Sequence, residues 1–263
     1  MHNLTRPDLA ALAGEAGLGE AAIHVRSLDR PEVRWNHDDG RWRYPASLIK
    51  LPLAVAAAAA IRDRRLGWSS PVTIEERNLT PNDAPSPMAT GYTSTVEELV
   101  TLMLQRSDNV ATNQLYDLLG RGRATADLHA LGFSGTFFRR KLSGALPLID
   151  DPEAGGRNSF PAEEAAALLV ALAGDRLPDS ATLRAILATS WWDVKLSRGL
   201  EPGDAFAHKT GDTDEVSHDA GILMLNDGSR WVVVVYTELP SSDEHDARFA
   251  TFMRSLRPYL LRG

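Results

Sequence analysis

Three short groups of residues in this chain carry side chains suited to covalent chemistry at a carbonyl. Ser47-Leu48-Ile49-Lys50 sets a hydroxyl three positions before an amine. On a helix that spacing places both on one side, with the side chains adjacent. A serine hydroxyl is a weak nucleophile until a base takes its proton. A lysine can be that base if burial or a neighbouring cation lowers its pKa, and Lys209 is a candidate for that cation. Free N–H groups at the start of the same helix could stabilise an oxyanion. In Ser107-Asp108-Asn109, the serine could relay a proton to a leaving nitrogen and the Asn109 amide could hold a substrate carbonyl. In Lys209-Thr210-Gly211, the ammonium and hydroxyl could bind a substrate carboxylate, with Gly211 letting substrate approach the strand edge. Each group alone has an ordinary use. A Ser-x-x-Lys pair arises by chance about once in a chain of this size, Ser107 could be a helix N-cap, and Lys209-Thr210-Gly211 could be a strand running into a turn. All three in this order, each on a suitable element, point to one site.

The elements that must position these groups follow from periodicity and breakers. Residues 6–17 read as a short helix, and 21–25 and 33–36 as two strands joined by a turn through Asp29-Arg30-Pro31. From about Ala46 to Gly67 runs an alanine-rich helix, nearly uncharged until Arg62 and therefore buried on most sides. Pro52 is tolerable there only within the first turn or so. Residues 71–92 read as loop, followed by helices over 95–105, 110–119 and 124–131. Residues 140–160 lack periodicity and read as a long surface loop, a kind usually kept for function. Helices resume at 161–173 and 180–189. The tail reads as strands at 205–209, 220–225 and 231–237, with Asn226-Asp227-Gly228 as a hairpin turn, then a helix from Asp243 to Leu261 with Phe249, Phe252, Met253 and Leu256 on one face. Strands at both ends and helices between predict an α+β sandwich: one antiparallel sheet, terminal helices on one face and a helical lobe against the other. We expect a single domain, with a sheet lobe from about 1–45 and 200–263 and a helical lobe from about 46–199.

Composition narrows the function. The 263 residues carry a net charge of −7, which argues against a nucleic-acid partner. The absence of cysteine excludes disulfides, thiolate metal sites and cysteine nucleophiles. The longest apolar run, Leu51 to Ile61, has 11 positions, against about 20 for a membrane span. Met1 to Leu18 has no basic segment ahead of an apolar one. The expectation is a soluble protein, cytoplasmic or exported with its leader removed, acting as a monomer on a small molecule without metal or organic cofactor.

The motifs, together with QRSDNVATNQLYDLLG at 105–120 and AHKTGDTDEVSHDAGILML at 207–225, resemble the serine β-lactamase and penicillin-binding-protein superfamily, and most of all its class A β-lactamase branch. The resemblance covers roughly residues 20–260. It implies a five-stranded antiparallel sheet flanked by helices, an all-helical lobe, and a site at their junction. It implies Ser47 as the acylated nucleophile, Lys50 as its partner, Ser107 as proton shuttle and Asn109 as a substrate-amide contact. Lys209, Thr210 and Gly211 would line a carboxylate subsite, and the N–H groups of Ser47 and Asp212 would form the oxyanion hole.

One departure bears on turnover. Class A enzymes carry a Glu-x-x-Leu-Asn motif whose glutamate activates the deacylating water. Spacing puts Ser143 to Leu146 at that place, with no carboxylate. Asp150, Asp151 and Glu153 follow and read either as solvated loop charges or, in a differently folded loop, as substitutes. The loop thus resembles a divergent branch that lacks the glutamate. His218 reads either as a substrate contact at the rim of the site or as a strand-edge histidine. The arginine that pairs with a substrate carboxylate in class A enzymes has no clear counterpart, Arg230 being nearest in sequence. Trp191 and Trp192 read as packing. The resulting expectation is a class A-like serine hydrolase acting on β-lactams or related amides and esters. A DD-peptidase, esterase or amidase of the same fold, or a penicillin-recognising sensor that is acylated and released poorly, stay open.

Overall fold

A computed structural model of the chain describes residues 6–144 and 148–261. The run Arg230-Trp-Val-Val-Val-Val-Tyr-Thr237 forms strand β7 at the centre of the sheet. A strand covered on both faces needs apolar side chains at every position rather than at alternate ones. Val232, Val234 and Tyr236 join the core of the helical side, while Trp231, Val233 and Val235 join the core under the terminal helices. Around β7 lie β1 (Ala22–Ser27), β2 (Arg34–His37), β5 (Ala205–Asp212) and β6 (Ser217–Met224), in the order β2-β1-β7-β6-β5, with every pairing antiparallel. β5 is thus an edge strand.

One face of the sheet is covered by α1 (Leu9–Glu15) and α8 (Asp243–Leu261), whose Phe249, Phe252, Met253 and Leu256 are buried against it as their spacing predicts. The other face meets α6 (Ala162–Ala173). Beyond α6 lie α2 (Lys50–Arg62), α3 (Val96–Gln105), α4 (Asn109–Leu119), α5 (Arg121–Ala130) and α7 (Ser180–Leu187). From Leu51 to Ala60 every residue of α2 is buried, so it is a central helix and not an amphipathic one. Pro52 is its third residue, in the first turn, where no intrahelical acceptor is forgone.

Three local expectations need correction. The alanine-rich helix does not begin as an α-helix: Ala46–Ile49 is one turn of 3-10 helix leading into α2. The stretch read as loop over 71–92 holds β3 (Pro71–Thr73) and a 3-10 turn (Glu76–Asn78), and β3 pairs with β4 (Thr93–Thr95) just beyond it. Three-residue strands are too short to show an alternation. β5 and β6 also run further than expected, to Asp212 and from Ser217, so Lys209-Thr210-Gly211 lies within paired strand.

Behind β5 sits an ionic clamp. His208 is fully buried, with Nδ1 2.8 Å from Asp219 on β6 and Nε2 3.0 Å from Asp193. Burial alone would lower its pKa, but the two carboxylates outweigh burial and hold it at about 9, above the ordinary 6.5. A raised histidine pKa adds stability that is complete below the unfolded value and is lost as pH rises through the folded one. The stability advantage of wild type over His208→Gln, measured by urea unfolding, should therefore shrink between pH 7 and about 9. Lys209 titrates with the opposite sign in both proteins and cancels in the difference. A gap that stays constant over that range would contradict a charged His208.

Candidate functional site

The 3-10 turn at Ala46–Ile49 delivers the first side chains. Residues three apart eclipse in such a turn, and Lys50 Nζ lies 2.9 Å from Ser47 Oγ. Ala46, just before the serine, has a φ of +46°, a left-handed conformation that costs a non-glycine residue about 1–2 kcal/mol. Lys50 is completely buried, whereas Ser47 is only partly covered and opens on a cavity of about 640 Å³.

The break between α3 and α4 delivers the second group. Asp108, not Ser107, caps α4: its Oδ1 accepts the Ala111 N–H at 2.8 Å, a contact worth about 1 kcal/mol. That leaves Ser107 free, with a φ of +63° that turns its hydroxyl and its carbonyl toward Lys50. Such strain persists where surrounding structure over-determines it. Ser107 Oγ lies 2.9 Å from Lys50 Nζ and 3.0 Å from Lys209 Nζ. Asn109 lines the cavity, but Oδ1 accepts from Lys50 at 2.7 Å and Nδ2 donates to Pro81 O at 3.0 Å. One N–H of that amide is left over for other use.

β5 delivers the third group. Lys209 is buried, and its Nζ also donates to Thr210 O at 2.8 Å. Thr210 and Asp212 line the cavity. Gly211 has a use the sequence did not suggest. A Cβ there would stand 3.0 Å from Pro45 O and 3.2 Å from Leu48 N. The missing side chain lets β5 lie against the turn that carries Ser47, rather than admitting substrate. Behind Asp212 stands Lys195, fully buried, its Nζ 2.6 Å from each carboxylate oxygen.

Electrostatics make Lys50 a base. Burial pushes its pKa well below the ordinary 10.5, and the nearby Lys209 pushes the same way, while Asp108 and Asp83 only partly oppose them. Burial likewise brings Lys209 down to about 7. The valences agree. Ser107 O and Asn109 Oδ1 can only accept, and they take two N–H groups of Lys50 at 2.6 and 2.7 Å. A neutral amine has two N–H groups and one lone pair, and that lone pair then faces the Ser47 and Ser107 hydroxyls, each 2.9 Å away.

Other expected residues lie elsewhere. His218 is not at the rim of the site, and it is not a strand-edge residue either. It is fully buried on β6, an interior strand, stacked on Tyr236 with Nε2 2.8 Å from Tyr44 O and Nδ1 accepting from Thr237 N at 3.1 Å. Burial pulls its pKa to about 4, so it braces the turn before Ser47 as a neutral ring. Asp151 is not a solvated charge: it forms a two-pronged buried ion pair with Arg121 at 2.6 and 2.8 Å and accepts the Lys141 N–H at 2.8 Å. Asp150 and Glu153 are exposed, and none of the three lines the cavity. Ser143 and Gly144 do line it, whereas Leu146 lies outside the described residues. Gly144 has a φ of +63°, and a Cβ there would overlap Pro81 O and stand 2.8 Å from Asn109 Nδ2. Arg230 pairs with Asp29 at the far end of β7. Trp192 lines the cavity, and Trp191 is half exposed beneath the Arg106 guanidinium at 3.9 Å, so neither is simple packing. Sequence reasoning missed Lys195, Asp83, Tyr44 and Trp192. Lys195 left one signal: the chain has only four lysines, all buried here, so each was a candidate for a specific partner. Among the described residues, no group of three or more His, Asp or Glu side chains is placed to hold a metal ion.

Comparison with known proteins adds a family and a fold. A family model described as Beta-lactamase enzyme family matches residues 5–256. Among solved structures, PBP-A is similar at 23% identity and a TM-score of 0.83, over 99% of this chain and 100% of that one. A PBP-A variant in an acyl-enzyme complex with penicillin G is similar at 23% identity and a TM-score of 0.84, over 97% and 95% of the two chains. A β-lactamase from Sphaerobacter thermophilus is similar at 23% identity and a TM-score of 0.81, over 96% and 97%. No curated protein sequence matches.

The loop carboxylates make a sharp test. Asp151→Ala removes the two-pronged buried partner of Arg121, leaves it only the exposed Glu153 carboxylate at 3.2 Å, and should lower unfolding free energy by about 2–3 kcal/mol, read by urea denaturation. Glu153→Gln, at an exposed site, should change it by less than about 0.5 kcal/mol. Equal, small effects would contradict the buried pair.

Proposed function

The chain belongs to the Beta-lactamase enzyme family, and from that premise we propose that it is a serine hydrolase of the β-lactamase and penicillin-binding type, acylated at Ser47 by β-lactams or by related amides and esters. The observation that carries the reading is Lys50: a fully buried amine, its pKa well below the ordinary lysine value, 2.9 Å from both Ser47 Oγ and Ser107 Oγ.

The steps balance with these residues alone. As Ser47 Oγ bonds to the carbonyl carbon, its proton passes to Lys50. The tetrahedral oxyanion is held by the backbone N–H groups of Ser47 and Asp212. The carbon–nitrogen bond of an amide then breaks, the nitrogen takes the Ser107 proton, and Lys50 returns its own proton to Ser107. Lys209, 3.0 Å from Ser107 Oγ, stabilises the negative charge that builds there. Asn109 and Thr210 orient the bound substrate. The ester on Ser47 is the intermediate that water must cleave.

For that last step, among the described residues no carboxylate of the 140–160 loop lines the cavity: Asp150, Asp151 and Glu153 stand outside it. This favours a second reading in which the acyl-enzyme is long-lived, as in a sensor, or in which the acyl group passes to an acceptor other than water. Esters and D-Ala-D-Ala peptides distinguish an esterase or DD-peptidase from a β-lactamase.

The test is intact-mass spectrometry after mixing with a penicillin. Wild type should gain one penicillin mass, located on Ser47 by peptide mapping. Ser47→Ala should gain none, and Lys50→Met should acylate at least about 100-fold more slowly. Acylation should also slow as pH falls and Lys50 is protonated. Unmodified wild type with penicillins, esters and D-Ala-D-Ala peptides alike would contradict the proposal.

A further inference from the structure

Trp192 lines the cavity at Ser47, and none of the acylation steps uses it. Its place is fixed by the segment that carries Ser107. The indole N–H donates to Arg106 O at 3.1 Å, one residue before that serine. The Trp191 backbone N–H donates to Gln105 O at 3.0 Å, and Gln105 Nε2 donates to Thr189 Oγ1 at 3.1 Å. The Arg106 guanidinium lies over the Trp191 ring at 3.9 Å. Residues 189–192 are thus fastened to the end of α3, beside the hydroxyl that hands its proton to the leaving group.

Each polar group of Trp192 already has a partner. Besides the indole N–H, its backbone N–H donates to Ser190 Oγ at 3.2 Å, and its carbonyl accepts from Val194 N at 2.9 Å. What it offers a ligand is ring carbon. The residue is only partly buried, and an indole so placed gains from a flat apolar group that covers it. Val194, also on the cavity wall, extends the apolar surface. Among the described residues, the wall has one other aromatic ring, Tyr44, which already carries the Arg157 guanidinium at 4.7 Å. A tryptophan that served only to anchor its own segment would not need to stand on the cavity wall.

The chemistry says which part of a substrate meets this ring. Ser107 protonates the departing atom, so the leaving portion of the acyl donor lies on the Ser107 side of the bond that breaks. We infer that Trp192 is a specificity-determining contact for the leaving portion, selecting acyl donors whose leaving group is aromatic or otherwise flat and apolar. The inference deepens the proposed function and rests on it for its kinetic test, but its binding test needs no chemistry. It adds to the contacts at Lys209 and Thr210 and does not replace them.

The phenylacetate esters of 2-naphthol and of trifluoroethanol deliver one acyl group from an aromatic and an aliphatic leaving group. In both, Ser47 Oγ bonds to the carbonyl carbon and the ester carbon–oxygen bond breaks. The alcohol leaves with the Ser107 proton, which Lys50 replaces with the one taken from Ser47. Intact-mass spectrometry reads the acylation rates. Trp192→Leu should slow acylation by the naphthyl ester at least about 10-fold more than acylation by the trifluoroethyl ester, and Trp192→Phe should recover most of that difference. Both esters leave the same phenylacetyl-enzyme, from which the leaving group has gone. The naphthyl-ester loss should therefore also exceed any slowing of hydrolysis of that intermediate by at least about 10-fold. Equal losses on the two esters, no loss on either, or an equal slowing of hydrolysis would make Trp192 a structural anchor and overturn the inference.

Calorimetry of Ser47→Ala supplies the second readout. N-(2-naphthyl)phenylacetamide should bind more tightly than N-isobutylphenylacetamide, and adding Trp192→Leu should remove most of that preference. This result with no acylation of wild type by any ester keeps the inference and removes the proposed function. Acylation of wild type without a leaving-group preference that depends on Trp192 does the reverse. Equal binding of the two amides, no binding of either, or a preference that survives Trp192→Leu overturns the inference.

Discussion

One buried amine organises this molecule. Lys50 Nζ reaches Ser47, Ser107 and Asn109 within 2.9 Å, from a position with no exposure to solvent. A charged ammonium there would face the Lys209 amine, itself a cation when protonated, across a single shared hydroxyl, Ser107 Oγ. In a low-dielectric interior that arrangement is costly. Shedding a proton is the cheaper solution, and it turns a structural burden into a base beside a hydroxyl.

The rest of the fold brings three unrelated segments to that amine. The 3-10 turn at the head of α2 supplies Ser47, the left-handed residue between α3 and α4 supplies Ser107, and the edge strand β5 supplies Lys209. Each approach is fixed by a local device. Gly211 lets β5 touch the Ser47 turn, Asp108 takes over the capping of α4, and His218 braces Tyr44 from beneath as a neutral ring. The ion pairs of Lys195 with Asp212 and of His208 with Asp219 tie the same strand to its neighbours. Strain at Ala46 and Ser107 is held against this rigid surround.

Much of this was legible in the sequence where the signal is local. The valine run of β7, the apolar stripe of α8 and the three motif groups are short-range patterns, and they led to the sheet, its covering helices and a cluster at one place. What was not legible depends on partners distant in the chain. Lys195 has meaning only through Asp212, 17 residues later, and Asp151 only through Arg121, 30 residues earlier. His218 alternates correctly on its strand, yet alternation cannot say that the face it occupies is sealed by the Tyr44 turn, 174 residues away. β3 and β4 were too short to carry a period, and the 3-10 turn differs from an α-helix by too little to be read from residue types.

The protonation state of Lys50 tests the account most directly. The chain has only four lysines, Lys50, Lys141, Lys195 and Lys209, so carbon-13 labelling of the lysine ε positions gives a spectrum simple enough to assign by single substitutions to arginine. The account predicts that the Lys50 signal passes from the shift of an ammonium to that of a neutral amine well below the ordinary lysine value of 10.5. A Lys50 signal that stays that of an ammonium up to the ordinary lysine range near 10.5 would contradict it.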